Sequence, residues 1–209
     1  PVLKNSECEV HDIGDGVLCF EFTSKSNSIG EGIGKGLYEI IEIAEQGQWN
    51  GLVIGNNAKQ FSVGANLMNI GMLAMQKQYE VLDKFVSDFQ KINMRIRTSK
   101  IPVVVATQGY VFGGGCEISM HCDAGVYAAE SYIGLVEVGV GLLPGGGGTK
   151  EFALRASNDF FDGDVQTPTL IKYFKSIATA TVSTSAHEAY DLGYLNRERD
   201  FVSVNAPMN

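Results

Sequence analysis

Two glutamates, Glu117 and Glu137, stand twenty positions apart, and each lies close to a run of glycines. Residues 113–115 are three glycines ahead of Glu117, and residues 145–148 are four glycines after Glu137. Because glycine lacks a Cβ, a backbone can approach a ligand closely there and expose its amides. Carboxyl groups transfer protons, and main-chain amides stabilise negative charge on an oxygen. Residues 100–149 therefore predict an active site for acid–base chemistry.

The elements around Glu117 follow from the same stretch. The apolar run Val103 to Ala106 predicts a strand, and residues 115–120 predict a short helix that carries Glu117, with a second strand after it. The first N–H groups of such a helix are unpaired and lie at the positive end of its dipole, where a developing oxyanion is stabilised. One alternative stays open, because a glycine cluster also allows tight packing of a strand against a helix.

The remaining elements are predicted from periodicity and turn residues. Residues 8–11 and 17–22 are β-prone, and Asp15-Gly16 between them predicts a hairpin. Apolar residues at helical spacing predict one helix over 33–44 and a clearer one over 79–97, with a buried strand over 51–55 between them. A polar loop with Pro168 is expected over 158–169, followed by a helix over 170–180.

Composition limits the classes of protein that remain. With 209 residues, 44% hydrophobic and 19% charged, the chain fits a single domain over 1–209. A net charge of −8 argues against a nucleic-acid or anionic-membrane partner, because either requires a basic face. The longest apolar runs are too short for membrane insertion. The spacing of the cysteines predicts reduced thiols in the cytoplasm, and no metal site is expected.

Three segments, in their order along the chain, carry a family resemblance. They are FSVGANL at 61–67, GYVFGGGCEISMHCD at 109–123 and YIGLVEVGVGLLPGGGGT at 132–149. This pattern resembles the crotonase (enoyl-CoA hydratase/isomerase) superfamily, and residues 185–195 match a later segment of the same family. The resemblance implies an α/β fold, a spiral of ββα turns.

A narrower resemblance concerns larger proteins. LVIGNNAKQFSVGANLM and VSTSAHEA look most like the hydratase region of fused 3-hydroxyacyl-CoA dehydrogenase/enoyl-CoA hydratase proteins. Together with the start at Pro1, this suggests a domain excised from a longer chain and lacking the C-terminal helical tail that commonly closes the acyl pocket or the subunit contact.

The resemblance also assigns roles to residues. The amides of Val63 and Gly114 would form the oxyanion hole for a thioester carbonyl, Glu117 and Glu137 would hold and activate a water, and the Gly145 amide would help to position that water. CoA would lie along the loop with Lys25 and the turn at Ala65, Asn66 and Leu67. Asn66 stands where the family usually has Asp and can still cap the next helix. Residues 69–78, rich in Met and Gln, are expected to form a mobile wall of the acyl pocket.

The activity implied is hydration of a trans-2-enoyl-CoA in fatty-acid β-oxidation. The partner would be the acyl-CoA thioester, with CoA as part of the substrate and no other cofactor bound. The assembly implied is a homotrimer or a dimer of trimers, or association with a dehydrogenase domain in the same parent chain. Two alternatives remain: an enoyl-CoA isomerase, whose family members often keep only the second glutamate, and a catalytically poor module that binds CoA thioesters.

Overall fold

A computed structural model of the protein describes residues 1–204 and contains a seven-stranded sheet in which strand order follows chain order. The first three strands are antiparallel, and every pairing from the third strand onward is parallel. This mixed sheet, with helical connections between its parallel strands, confirms the predicted α/β class. The strands are β1 (Leu3–Lys4), β2 (Cys8–Asp12), β3 (Val17–Phe22), β4 (Gly51–Ile54), β5 (Val103–Phe112), β6 (Ala124–Gly134) and β7 (Asp200–Ser203).

The predicted hairpin joins β2 to β3. Gly14, Asp15 and Gly16 all have positive φ, at 95°, 54° and 73°, and the amide of Val17 donates to the carbonyl of Gly14 at 2.9 Å. Glycine and aspartate tolerate this left-handed backbone, which explains why the Asp-Gly signal identified the turn.

Seven α-helices occur within residues 1–204. They are α1 (Glu31–Glu45), α2 (Leu67–Met75), α3 (Tyr79–Arg97), α4 (Gly114–His121), α5 (Gly148–Asn158), α6 (Thr167–Ala178) and α7 (Ala186–Asp191). The apolar stripe of α1 is fully buried, and Gly36 lets this helix approach the hairpin, because a Cβ there would lie 2.5 Å from Cys8 Sγ. Arg95 on α3 donates two hydrogen bonds to the carboxylate of Glu45 on α1, both at 2.7 Å. This ion pair helps to hold α3, which carries several residues of the candidate site.

Two predicted boundaries were wrong. The strand β5 continues six residues beyond Ala106, through a register shift between Thr107 and Gly109. Gly109 has φ +57°, and a Cβ there would collide with the carbonyl oxygen of Lys59. A glycine at this irregularity, rather than the end of the strand, accounts for the break in the apolar pattern.

The second wrong boundary lies at α6, which starts at Thr167 and has Pro168 in its first turn rather than in a loop. Proline is well suited to this position, because the first amides of a helix have no intrahelical acceptor.

The Met-rich segment forms the helix α2 and part of the following connection. Its cap is the one predicted, since Asn66 Oδ1 accepts from the amide of Asn69 at 3.3 Å. None of the helices within residues 1–204 combines the length and the hydropathy that a membrane crossing requires. The domain predicted over 1–209 is described as far as residue 204, and residues 205–209 lie outside the described part.

Candidate active site

The glycine triplet forms a sharp turn between β5 and α4. Gly113 has φ 51° and ψ −120°, and its carbonyl accepts from the amide of Glu117 at 2.9 Å. Within residues 1–204, the amides of Gly114, Gly115 and Cys116 have no protein acceptor. These are the unpaired first-turn donors that any helix start leaves. The structure therefore confirms the predicted helix start beside the triplet and leaves the amide of Gly114 unpaired within the described residues.

The turn at 61–66 lies directly beside this triplet. The amide of Ser62 donates to Tyr110 at 2.9 Å, and the carbonyl of Ser62 accepts from Phe112 at 3.1 Å, so the turn is joined to the end of β5. Gly64 has φ +88°, and a Cβ there would lie 2.9 Å from the carbonyl oxygen of Phe112 and 3.3 Å from the nitrogen of Gly114. Only glycine permits this approach.

The amide of Val63 completes the pair predicted for the oxyanion hole. Within the described residues it donates to no protein acceptor. The carbonyl of Ser62 points toward β5, and in a trans peptide the following N–H points the opposite way. The Val63 amide thus faces away from the strand, and the next residue, Gly64, packs against Gly114. The structure brings the two turns together, and the role of their amides stays a prediction.

Glu117 is almost completely buried on α4, with 2% of its surface exposed. Its Oε1 accepts from the Gly148 amide at 2.8 Å, and the nearby amides of Gly146 and Gly147 also favour the ionised form, more weakly. Burial, reinforced by the charge of Glu137, outweighs these donors and raises the pKa of Glu117 to about 8.

Glu137 begins a short 3₁₀ turn, Glu137–Val140, just after β6. Its carboxyl group reaches the triplet, since a Cβ on Gly113 would lie 3.1 Å from Glu137 Oε1. Its Oε2 is buried and has no hydrogen-bond partner within residues 1–204. Burial raises the pKa of Glu137 to about 7. Two carboxyl groups with pKa values near neutrality therefore lie near the unpaired amides of the triplet, and such groups exchange protons readily at neutral pH.

Gly145 starts the second glycine turn, as predicted from the sequence. Its carbonyl accepts from Gln90 Nε2 at 2.8 Å, and its amide has no protein acceptor within the described residues. The rest of the turn faces Glu117, and a Cβ on Gly146 would lie 2.5 Å from Glu117 Oε2. The predicted contact of the Gly145 amide with a water stays a prediction.

The residues predicted to contact CoA lie along one connected strip. Lys25 is exposed in a short 3₁₀ turn, Lys25–Asn27, that leads to Ile29, and Ile29 pairs with Ala65 in an isolated parallel bridge. Asn66 donates its backbone amide to Ile29 at 3.2 Å, and the partly exposed Leu67 begins α2. The geometry joins these residues into one surface, and their contact with CoA stays a prediction.

A cavity of about 710 Å³ lies between α1, α2 and α3. Ile29 and Phe89 line it, and both would lie 3.1 Å from a Cβ on Gly114, so two side chains of the cavity wall also pack against the glycine triplet. Ile70 and Leu73 from the Met-rich segment form part of its wall, and the predicted role of this segment as a mobile wall of the acyl pocket stays a prediction. The choice of methionines as the lining was wrong, because α2 turns them outward: Met68, Met72 and Met75 are 79%, 53% and 86% exposed.

Sequence reasoning missed a buried polar cluster beneath Glu117. His121 Nδ1 lies 2.7 Å from the Glu117 carbonyl oxygen, and its Nε2 lies 2.8 Å from Lys150 Nζ. A carbonyl only accepts and an ammonium only donates, so these two contacts favour a neutral ring with its proton on Nδ1, although Glu151 Oε1 also lies 3.4 Å from Nε2. Burial lowers the pKa of His121 to about 4, which agrees with this form. The i, i+4 spacing of Glu117 and His121 was readable, but the distant partner Lys150 was not.

The raised carboxyl pKa values lead to a prediction about stability. Between its unfolded pKa of 4.5 and its folded pKa of about 8, Glu117 binds more protons in the folded state. Stability is therefore lost as pH rises through this window. We take half of that pKa shift, which corresponds to about 2 kcal/mol, as the free energy of unfolding that the wild type has lost at pH 8. Because the amide of glutamine is neutral, we expect Glu117→Gln to raise Tm at pH 8 by about 5 °C.

Thermal unfolding at pH 5 and at pH 8 tests this expectation. At pH 5 the wild-type carboxyl group is protonated when folded, so the gain should nearly vanish. The exposed Glu80 on α3 supplies the control, and Glu80→Gln should change Tm little at either pH. An equal Tm change for Glu117→Gln at both pH values would contradict the ionisation argument.

Comparison with known proteins agrees with this geometry. The family described as "Enoyl-CoA hydratase/isomerase" matches residues 12–161, which include the turn at 61–66, the glycine triplet and both glutamates. A crystal structure of an enoyl-CoA hydratase from Polaromonas sp. JS666 superimposes with a TM-score of 0.77 at 22% identity, covering 95% of this chain and 71% of that one. At this identity the likeness concerns the fold alone, and it confirms the predicted crotonase-like architecture.

Two larger relatives match over nearly the whole chain. A "Probable 3-hydroxyacyl-CoA dehydrogenase" of Bacillus subtilis is 42% identical over 98% of this chain and 25% of its own length. A "Putative fatty acid oxidation complex trifunctional enzyme" of Rickettsia felis is 26% identical over all of this chain and 27% of its own length. The chain thus spans about a quarter of these relatives, which agrees with the resemblance to one region of a fused protein. With its family match, fold and motifs in agreement, the chain belongs to the enoyl-CoA hydratase/isomerase family of the crotonase superfamily.

Proposed function

We propose that this domain is an enoyl-CoA hydratase, which adds water across the C2–C3 double bond of a trans-2-enoyl-CoA in fatty-acid oxidation. The observation that supports the proposal is the placement of Glu117 and Glu137, both with raised pKa values and electrostatically coupled, near the unpaired amides of the glycine triplet. An α,β-unsaturated thioester requires both features, because water must be deprotonated while negative charge collects on the thioester oxygen.

The oxygen of the thioester is held by the amides of Val63 and Gly114. As a hydroxyl group forms at C3, electron density moves to this oxygen, and the two donors stabilise the enolate. One such donor is worth about 10²–10³ in rate. Both donors belong to the main chain, so the identity of the Val63 side chain matters little to this step.

The two carboxyl groups act on a single water. The ionised carboxylate takes one proton from the water as the remaining hydroxyl bonds to C3. The paired carboxylic acid then gives its proton to C2, or the first carboxyl group passes the proton that it took on to C2. The net change is addition of one water molecule, with no oxidation or reduction. Acid–base assistance of this kind contributes about 10²–10⁴ in rate. Since the groups are electrostatically coupled, they titrate as a pair, and the Gly145 amide helps to position the water.

Substrate binding follows the connected surface around the site. CoA lies along Lys25 and the turn at Ala65, Asn66 and Leu67, and the acyl chain enters the cavity that begins at Ile29 and Phe89. CoA is part of the substrate, and the proposed reaction needs no further cofactor.

The wider setting is also a proposal. Relatives four times as long support a dehydrogenase domain in the same parent protein, and a trimer or a dimer of trimers is the assembly that we expect. All four cysteines are unbridged, which agrees with a reducing compartment such as the cytoplasm.

An isomerase reaction is the second candidate, because one carboxyl group could move a proton between carbons while the same amides hold the thioester. Hydration is favoured by the presence of two carboxyl groups at the site, since an isomerase needs only one. A module that binds CoA thioesters without turnover is the third reading.

A crotonyl-CoA assay tests the function. We expect the protein to consume this substrate with loss of the ultraviolet absorbance of the conjugated thioester and formation of 3-hydroxybutyryl-CoA. The variant with both glutamates replaced by glutamine is the control and should show no turnover of crotonyl-CoA. Absence of turnover with acyl chains of several lengths, despite tight binding of a saturated acyl-CoA, would overturn the hydratase assignment in favour of the binding module.

A further inference from the structure

Three consecutive peptide units in the second glycine turn are held by their carbonyl groups. Gln90 Nε2 donates to the Gly145 carbonyl and Asn93 Nδ2 to the Gly146 carbonyl, both at 2.8 Å. The amide of Glu151, in the first turn of α5, donates to the Gly147 carbonyl at 2.9 Å. A carbonyl oxygen only accepts, so the NH₂ end of each side-chain amide must face the turn. Helix α3 thus supplies two of the three donors, from residues on one face.

The orientation of the carbonyl groups fixes the amides that follow them. Residues 1–204 contain no cis peptide bond, and in a trans peptide the C=O and the next N–H point in opposite directions. With three carbonyls turned toward α3 and α5, the amides of Gly146, Gly147 and Gly148 turn toward Glu117. The Gly148 amide donates to Glu117 Oε1 at 2.8 Å.

The turn packs tightly against Glu117 and Phe89. A Cβ on Gly146 would lie 2.5 Å from Glu117 Oε2 and would collide with the ring of Phe89. Asn93 is fully buried, whereas Gln90 reaches the turn from the exposed side of α3. Within residues 1–204 the Nδ2 of Asn93 donates to the Gly146 carbonyl, while its buried Oδ1 has no hydrogen-bond partner. Losing the Nδ2 contact would leave a second buried polar group unsatisfied, which favours the observed geometry.

We propose that Gln90 and Asn93 are positioning residues that clamp the glycine turn so that its three amides face the carboxyl group of Glu117. This inference rests on the proposed function for its effect on turnover, but the orientation of the amides can be tested without catalysis. The clamp sets how many amide donors face the Glu117 carboxylate. Donors to the ionised form lower the pKa of this group, whereas burial raises it.

The surroundings of Glu117 contain other titratable and charged groups, which the test must hold constant. They are Glu137 after β6, Cys116 and His121 on α4, Lys150 and Glu151 on α5, and Arg97 on α3, which pairs with Glu151 at 2.6 Å. None of them is altered by a substitution at Gln90 or Asn93.

The test compares Asn93→Leu and Gln90→Met, which keep much of the side-chain volume and remove the donor. Asp83→Asn, an exposed change on the same helix, is the matched control. The pKa of Glu117 is measured from the ¹³C shift of its side-chain carboxyl carbon in ¹³C-labelled protein, with Glu117→Gln to assign the signal. We expect the pKa to rise in both clamp variants and to stay unchanged in the control.

Turnover gives the second readout. Because the amides shift without touching the CoA surface, kcat should fall by about 10²-fold in Asn93→Leu while KM stays within a few fold. A folded Asn93→Leu or Gln90→Met variant with an unchanged Glu117 pKa overturns the proposal, and so does a fall in kcat without a pKa change. If Asn93→Leu does not fold, the change in the Glu117 pKa in Gln90→Met alone decides whether the proposal holds. A raised pKa in a protein that hydrates no enoyl-CoA supports the clamp and removes the proposed function.

Discussion

Replacing Glu117 or Glu137 by glutamine should lower kcat by about 10² or more and leave the affinity for CoA thioesters within a few fold. Glu117 is buried and Glu137 is half-buried near the glycine triplet, whereas the surface predicted to bind CoA runs along Lys25 and residues 65–67. The substitutions should therefore lower kcat without a comparable change in the affinity for CoA thioesters. Glutamine preserves the shape of glutamate and can still accept from the Gly148 amide, so the loss reports on proton transfer.

Steady-state kinetics and calorimetric titration with a saturated acyl-CoA measure the two halves of this prediction. Glu80→Gln on the exposed side of α3 is the matched control and should behave as the wild type. Normal binding together with nearly wild-type turnover in both variants would show that these glutamates are structural and that the assigned roles are wrong.

Removing the Gly114 amide should produce the second large effect. In Gly114→Pro the N–H is lost, so we expect kcat to fall by about 10²–10³, as for one missing oxyanion donor. The matched variant is Gly114→Ala, which keeps the amide and adds a Cβ 3.1 Å from Ile29 Cδ1 and from Phe89 Cζ. These contacts crowd the cavity, so the alanine variant should show a smaller loss, mainly in KM.

Single-turnover rates with crotonyl-CoA, together with circular dichroism to verify folding, separate the two variants. The difference in rate between the proline and alanine variants reports the contribution of the Gly114 N–H, because both substitutions add a Cβ at the same position. Equal kcat in the folded proline and alanine variants would show that the Gly114 amide does not hold the thioester oxygen.

Much of the site was readable from the sequence because its parts are local. The triplet at 113–115 and Glu117 lie within one strand-to-helix turn, and the glycines identify where the backbone must come close. The order of the motifs then placed the turn at 61–66 beside the triplet, and the structure brings them into contact. The cap at Asn66 was likewise a local property.

The parts that sequence reasoning missed depend on distant contacts. Gln90 and Asn93 belong to a long amphipathic helix, where a polar residue is indistinguishable from one facing solvent until its partner across more than fifty positions is known. His121 and Lys150 pose the same difficulty. The outward methionines of α2 show the limit of composition, because the residue types suited an apolar wall while the helix presented Ile70 and Leu73 instead.

Hydration in water enriched in oxygen-18 tests the central claim most directly. If the two carboxyl groups activate water, crotonyl-CoA should be converted to 3-hydroxybutyryl-CoA that carries the heavy oxygen at C3, as mass spectrometry will show. The double glutamine variant at 117 and 137 should form no labelled product. Conversion of a 3-enoyl-CoA to its 2-enoyl isomer, without incorporation of heavy oxygen into any product, would contradict the account.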